Sequence, residues 1–242
     1  MIENICTAVL RDGSKLYQHF KSIDYPVGTY FIIDNSCGQD QTVKKTLEKI
    51  FDKKSKYIDD IKVLTTNQNT GYPGAVNLVI KQNTSFNYWL FTGFDWYLAR
   101  GELERLSIAI DSHPNGMTLG QGDDEMCGIV LTPKLIQEVG LLDENFYPGY
   151  FEDNDYRYRQ KLAGVSMTSF PLNNCHIRSS TLNSCETFKQ KNQYTFAANL
   201  DYYTKKWGGL PGNEVYRTPF HKNHPIQYWQ FDPVRTEQLR WM

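Results

Sequence analysis

What the chain has little of narrows its class first. Five cysteines are scattered through 242 residues, Cys6, Cys37, Cys127, Cys175 and Cys185, and none forms a C-x-x-C pair. An odd, dispersed set suggests neither a zinc ribbon nor a disulfide framework and points to buried thiols in a reducing compartment. Charge of one sign is missing too: 26 Lys and Arg face 27 Asp and Glu, for a net charge of -1. Without a basic field, nucleic acid and anionic membranes are not expected partners. No apolar run approaches the length that crosses a bilayer, and the opening M-I-E-N-I-C-T-A-V-L is too short and too acidic for a secretory signal. The expectation is a soluble, cytoplasmic chain with no transmembrane segment. The common nucleotide and hydrolase motifs are absent as well. There is no G-x-x-x-x-G-K-[ST] loop, no G-x-S-x-G and no H-E-x-x-H, and Gly120-Gln121-Gly122 starts a G-x-G-x-x-G that ends in Glu125 with no strand before it.

What is present alternates. Apolar runs at 5–10, 29–34, 62–66 and 88–94 read as strands. Each is followed by a helical pattern: Leu16, Phe20 and Ile23; Val43, Leu47 and Ile50; Ala75 to Lys81; Leu98 to Ile110. Four strand–helix alternations predict a mostly parallel α/β sheet with helices on both faces. In such sheets the ligand lies beyond the carboxyl ends of the strands, where Asp34 and Asp95 stand. Beyond residue 111 the rhythm changes. A strand is expected over 126–132, a helix opening at Pro133, an acidic turn, a strand near 165–170 and a helix over 192–207. Residues 1–207 read as a single domain. Residues 208–242, which contain Pro and His and are weakly periodic, read as a C-terminal extension packing on that domain or on a second copy in a homodimer.

The densest chemistry lies in D-E-N-F-Y-P-G-Y-F-E-D-N-D-Y-R-Y-R-Q-K-L-A-G, residues 143–164. A carboxylate pair, Glu152 and Asp153, stands at a loop-to-helix junction among aromatic rings, a setting that tunes carboxyl pKa values. Plainer readings stand beside it: Asp153 or Asn154 as a helix N-cap, and Asp155 with Arg159 as an exposed ion pair. Asp95 with His176 is a donor pair suited to Mn2+, although either residue alone is equally a structural one. His221 and His224 show no helical period that would align them on a metal, so packing is the expectation there. Trp89 and Trp96 read as core or pocket wall.

The order of I-I-D-N-S (32–36), N-T-G-Y-P-G-A-V-N (69–77), Y-W-L-F-T-G-F-D (88–95) and the 140–164 run resembles an inverting, family-2-like glycosyltransferase of the GT-A (Rossmann-like) fold. The resemblance spans residues 5 to 207. It implies a nucleotide-sugar donor, UDP- or dTDP-linked, a glycan or lipid-linked acceptor, and Mn2+ or Mg2+. It further implies that Asp34, Asn35, Asn69, Gly71, Asn77, Phe94 and Asp95 form the nucleotide-sugar site. Asp95 and His176 would hold the metal, and Asp153 would be the general base, with Glu152 assisting and Asp143 and Glu144 behind. One departure stands out: where the family carries D-x-D, this chain has Gly93-Phe94-Asp95. A non-catalytic nucleotide-sugar-binding module and a sugar-phosphate nucleotidyltransferase are the rival readings. The second lacks its expected N-terminal glycine-rich run.

Overall fold

A computed structural model describes residues 1–120, 127–176 and 186–241. The G-x-G-like stretch from Gln121, the start of the strand expected at Met126, and Cys185 lie outside them. The chain divides into two compact units. The first comprises Met1–Asn69, Leu78–Pro133 and Met167–Thr181; the second comprises Thr70–Asn77, Lys134–Ser166 and Leu182–Met242. The segment expected as an extension from residue 208 belongs to the second unit.

The first unit is built on a seven-stranded sheet. Its strands are β1 (Ile2–Val9), β2 (Val27–Asp34), β3 (Ile58–Thr65), β4 (Trp89–Thr92), β6 (Met117–Thr118), β7 (Gly128–Leu131) and β8 (Thr168–Ser169), in the order β3-β2-β1-β4-β7-β6-β8. Pairs β1–β2, β2–β3 and β1–β4 are parallel, and β7 runs antiparallel to β4 and β6. The middle strands are apolar on both faces because both are covered: Ile5, Ile32, Leu90 and Val130 are all fully buried. This is the α/β architecture expected from the alternation.

Helix α1 (Gly13–Ser22) and helix α2 (Gln41–Lys53) pack closely in this unit. Gly13 permits the approach, since a Cβ there would sit 2.2 Å from the Thr42 carbonyl oxygen. Asp40 caps α2 by accepting from the backbone N–H of Thr42 and Val43 at 2.9 and 3.0 Å. Helix α4 (Glu102–Ala109) starts later than the pattern implies. The residues before it form β5 (Trp96–Leu98), which pairs antiparallel with β9 (Asn174–His176). Three residues carry too little periodicity to reveal a strand.

Helix α3 (Gly71–Gln82) begins four residues earlier than the turn-rich N-T-G-Y-P-G suggests. Pro73 is tolerated because the first turn of a helix has no intrahelical use for its N–H. Helix α5 (Pro133–Val139) opens at Pro133 as expected. The second unit also holds α6 (Glu152–Ala163), α7 (Glu186–Trp207) and α8 (Pro233–Trp241). Gly164 ends α6 in the left-handed conformation, φ 69°. Its N-cap is Phe151, with no side-chain cap bond. That overturns the capping alternative, for Asp153 and Asn154 lie inside the helix. The exposed-ion-pair alternative falls too: Asp155 and Arg159 are fully buried, 2.8 Å apart.

Phe146, Phe151, Tyr158, Tyr203 and Trp207 form the apolar cluster of the second unit. Beside it lies a buried charge network. Lys206 reaches Asp143 at 2.8 Å and Asp155 at 2.6 Å, and the Trp207 indole N–H donates to Asp155 at 2.8 Å. Two cations balance two carboxylates, which is what lets four charges stay out of water. Asp155 is accordingly held below the usual carboxylate range by Arg159 and Lys206, against the opposing effect of its burial. Among the described residues no helix is long and apolar enough to cross a membrane.

Candidate active site

Asp34 ends β2 and is buried. Its Oδ1 accepts from the backbone N–H of Ser36 at 2.9 Å and from the Ser36 hydroxyl at 2.5 Å, and its Oδ2 accepts from the Gly38 N–H at 3.1 Å. The carboxylate thus shapes the turn after the strand, and Asn35 is buried in that turn, its N–H on the Val9 carbonyl. Phe94 and Asp95 follow β4, both nearly buried. Asp95 Oδ1 lies 3.7 Å from His176 Nε2, because the β5–β9 pairing sets Trp96 opposite His176. An imidazole nitrogen and a carboxylate oxygen facing one another fit a first-row divalent cation. They would be its only protein donors of that kind: among the described residues no group of three or more His, Cys, Asp or Glu converges. The departure at Gly93 has a local reason. A Cβ there would lie 2.9 Å from Asp95 Oδ1 and 3.1 Å from the Trp96 ring, so the single acid folds over the space that a first acid would need.

Sequence reasoning missed the residue that holds this turn. His19, on the buried face of α1, places Nδ1 2.7 Å from the Trp96 carbonyl and Nε2 3.2 Å from the Thr92 hydroxyl, bracketing residues 93–95. Burial pushes its pKa down to about 4, so the ring is neutral, donating from Nδ1 to the carbonyl and accepting at Nε2. The signal was there: a histidine on the apolar stripe of Leu16, Phe20 and Ile23.

In the second unit, Gly71 adopts φ +68°, and a Cβ on it would meet the Pro148 carbonyl oxygen at 2.7 Å. The Tyr72 N–H donates to that same oxygen at 2.7 Å. Asn77 is fully buried, and its amide is engaged at both ends. It donates to the Leu142 carbonyl at 2.7 Å and to Glu144 at 2.9 Å, and it accepts from the Leu142 N–H at 3.0 Å. It therefore anchors the 142–144 turn. Asn69, half-buried, closes the loop before α3 in the first unit.

The acid pair begins α6. Glu152 Oε2 is enclosed, with no hydrogen-bond partner among the described residues. Burial first, then the neighbouring Asp153 charge, raises its pKa to about 8, against the pull of the Tyr150 and Glu152 N–H groups. Asp153, half-buried, accepts from the Asn154 N–H at 2.8 Å. Two adjacent carboxyl groups in different surroundings is an arrangement suited to acid–base work. His221 and His224 each pack against a ring, as expected. His221 lies tilted against Tyr216, 4.7 Å between ring centres, and His224 stacks on Tyr228 at 3.7 Å.

Among solved structures, residues 1–349 of S. aureus TarS in complex with UDP match with a TM-score of 0.54 at 16% identity, over 84% of this chain and 72% of that one. GalNAc-T7 with UDP, GalNAc and Mn2+ matches with a TM-score of 0.52 at 9% identity, over 85% of this chain and 50% of that one. The fold is GT-A. The GT-A fold expected from the sequence is thereby upheld. A curated relative, a galactofuranosyl glycosyltransferase of Leishmania donovani, is 26% identical over 140 residues, 48% of this chain. The match spans 32% of that relative's length. No family model matches the chain. In the GT-A frame Asp34 and Asp95 occupy carboxyl ends of sheet strands in the first unit, while Glu152 and Asp153 belong to the second.

Proposed function

We propose that the protein is a glycosyltransferase that moves a sugar from a nucleotide-diphosphate donor to a glycan or lipid-linked hydroxyl, with inversion. The observation that carries this reading is the Glu152–Asp153 pair at the start of α6 in a GT-A chain. UDP is the favoured nucleotide, with dTDP second, because both solved relatives named above were captured with UDP.

An acceptor hydroxyl is a weak nucleophile until a carboxylate within hydrogen-bond reach takes its proton. Asp153 takes that proton. Glu152, protonated at neutral pH by its burial, adds no second negative charge beside the base. Asp34 and Asn35, with the loop at Asn69 and Gly71, shape the nucleotide end of the site. Phe94 walls it, and Asn77 anchors the 142–144 turn within the second unit. Asp95 and His176 would hold Mn2+ or Mg2+, which when bound offsets the charge that develops on the leaving diphosphate. With a single base and no covalent intermediate, the transfer is one displacement, which inverts the configuration.

The test is release of UDP from a panel that includes UDP-galactofuranose and UDP-N-acetylglucosamine, with and without Mn2+. Turnover of one donor, lost in Asp153→Asn, is the expected result. Binding of UDP without turnover of any donor, across a range of glycan acceptors, would instead favour the non-catalytic module.

A further inference from the structure

The loop that delivers Glu152 and Asp153 is held in a conformation its residues rarely choose. Tyr150 and Phe151 are consecutive non-glycine residues at φ 75° and 70°. Such a backbone persists only where its surroundings hold it. The holding group is Asn199, fully buried on α7. Its Nδ2 donates to the carbonyl oxygens of Tyr147 at 3.1 Å and Gly149 at 2.8 Å, with a longer approach to Tyr150 at 3.4 Å.

An asparagine amide can serve carbonyls in this way only if its nitrogen faces them. What decides that is on the other side. Asn199 Oδ1 accepts from Arg235 Nη2 at 2.8 Å, and a guanidinium has only donors, so the amide oxygen must turn toward it. Arg235 is itself fixed. It donates to the Ala198 carbonyl at 2.9 Å and the Asn145 carbonyl at 3.2 Å, and it lies over the Tyr202 ring at 4.9 Å. Asp232 caps the start of α8 by accepting from the Arg235 N–H at 3.0 Å, and the Asp232 N–H donates to Asn145 Oδ1 at 2.8 Å.

We propose that Arg235, acting through Asn199, is a positioning residue for the Glu152–Asp153 pair: its guanidinium sets the amide orientation that keeps loop 147–151 in its left-handed form. The inference rests on the glycosyltransferase reading for its link to turnover, but the hold on the loop can be measured without it. It also assigns a task to the C-terminal segment, which completes the catalytic loop from behind.

The test compares Arg235→Ala, Arg235→Lys and the nearly isosteric Asn199→Asp with the wild-type full chain. In Asn199→Asp the carboxylate still accepts from Arg235 but has no hydrogen to give the carbonyls. Hydrogen exchange at the amides of Tyr150, Phe151 and Glu152 is expected to quicken in Arg235→Ala and Asn199→Asp. With a turned-over donor, kcat is expected to fall about 10- to 100-fold in both, the scale of a small misplacement of a reacting group. The donor KM and the UDP dissociation constant by calorimetry should stay unchanged. Arg235→Lys should retain more turnover than Arg235→Ala, and millimolar methylguanidinium should restore part of the Arg235→Ala loss. Wild-type exchange rates or wild-type kcat in a folded Asn199→Asp would overturn the proposal. So would parallel loss of kcat and UDP affinity, the signature of general destabilisation. If wild type turns over no donor, the functional reading fails alone, and the exchange comparison still decides whether the relay holds the loop.

Discussion

The two units reach order by different means. The first is built on an apolar sheet, and its buried His19 is a neutral ring hydrogen-bonded at both nitrogens. The second surrounds its aromatic cluster with fully buried Asp143, Asp155, Arg159 and Lys206. Apolar packing tolerates small shifts, whereas a buried ion network is stable only when every partner is in position. A unit that must hold two carboxyl groups in fixed geometry gains from the second kind of order. One that offers a broad ligand face at strand ends can use the first.

The proposed function puts its general base in the second unit and its candidate metal residues in the first, and the strongest test of that division is at Asp153. Asp153→Asn is expected to lower turnover by about 10²- to 10⁴-fold, the range for loss of a general base, and to leave UDP affinity unaltered. Asp95→Ala should do the reverse in kind, weakening UDP binding in the presence of Mn2+. Equal effects of the two on UDP affinity would erase the division of labour.

Stability offers a second cut. Lys206→Met leaves Asp143 and Asp155 short of a buried cation and should cost about 3–5 kcal/mol in urea unfolding. Leu90→Ala, in the sheet, should cost about 2–5 kcal/mol through its cavity. A neutral Lys206→Met would mean that the second unit rests on apolar packing after all.

The pH dependence should have opposite signs in the two regions. His19 has a folded pKa of about 4, below its ordinary 6.5, so the unfolded chain binds the extra proton between those values. Its contribution, on the order of 3 kcal/mol, is present above pH 6.5 and lost as pH falls toward 4. Glu152 runs the other way. Between its ordinary 4.5 and about 8 the folded chain keeps a proton that the unfolded chain has released, so stability falls as pH rises through that window. Unfolding of His19→Gln and Glu152→Gln across pH should flatten the acid and neutral slopes respectively; unchanged slopes would sink both assignments. The smallest effect is expected at Gly13→Ala, about 1–3 kcal/mol of overpacking against Thr42, read as a lowered melting temperature.

The first unit was largely legible, because buried parallel strands leave apolar runs that stand out in a polar chain. The Pro133 helix start and the Gly164 stop were equally plain, since each follows from one residue's own backbone preference. β5 was too short to show. On α7 the buried positions are Thr195, Asn199, Tyr203, Lys206 and Trp207, a helical face on which three of the five side chains are polar and so leave a hydrophobic pattern incomplete. The region from residue 208 looked irregular for the same reason, its order depending on contacts such as Arg235 with Asn199.

Sequence alone determined the alternating architecture, the strand-end acids and the Glu152–Asp153 pair, because local periodicity and short motifs are written in neighbouring residues. Tertiary structure alone decided that Glu152 is protonated at neutral pH, that Asp155 is buried, that Asp95 meets His176 and that His19 and Arg235 hold their loops. Each of these depends on partners distant in the chain and on exclusion from water, and burial is a property of the folded molecule that no local stretch carries.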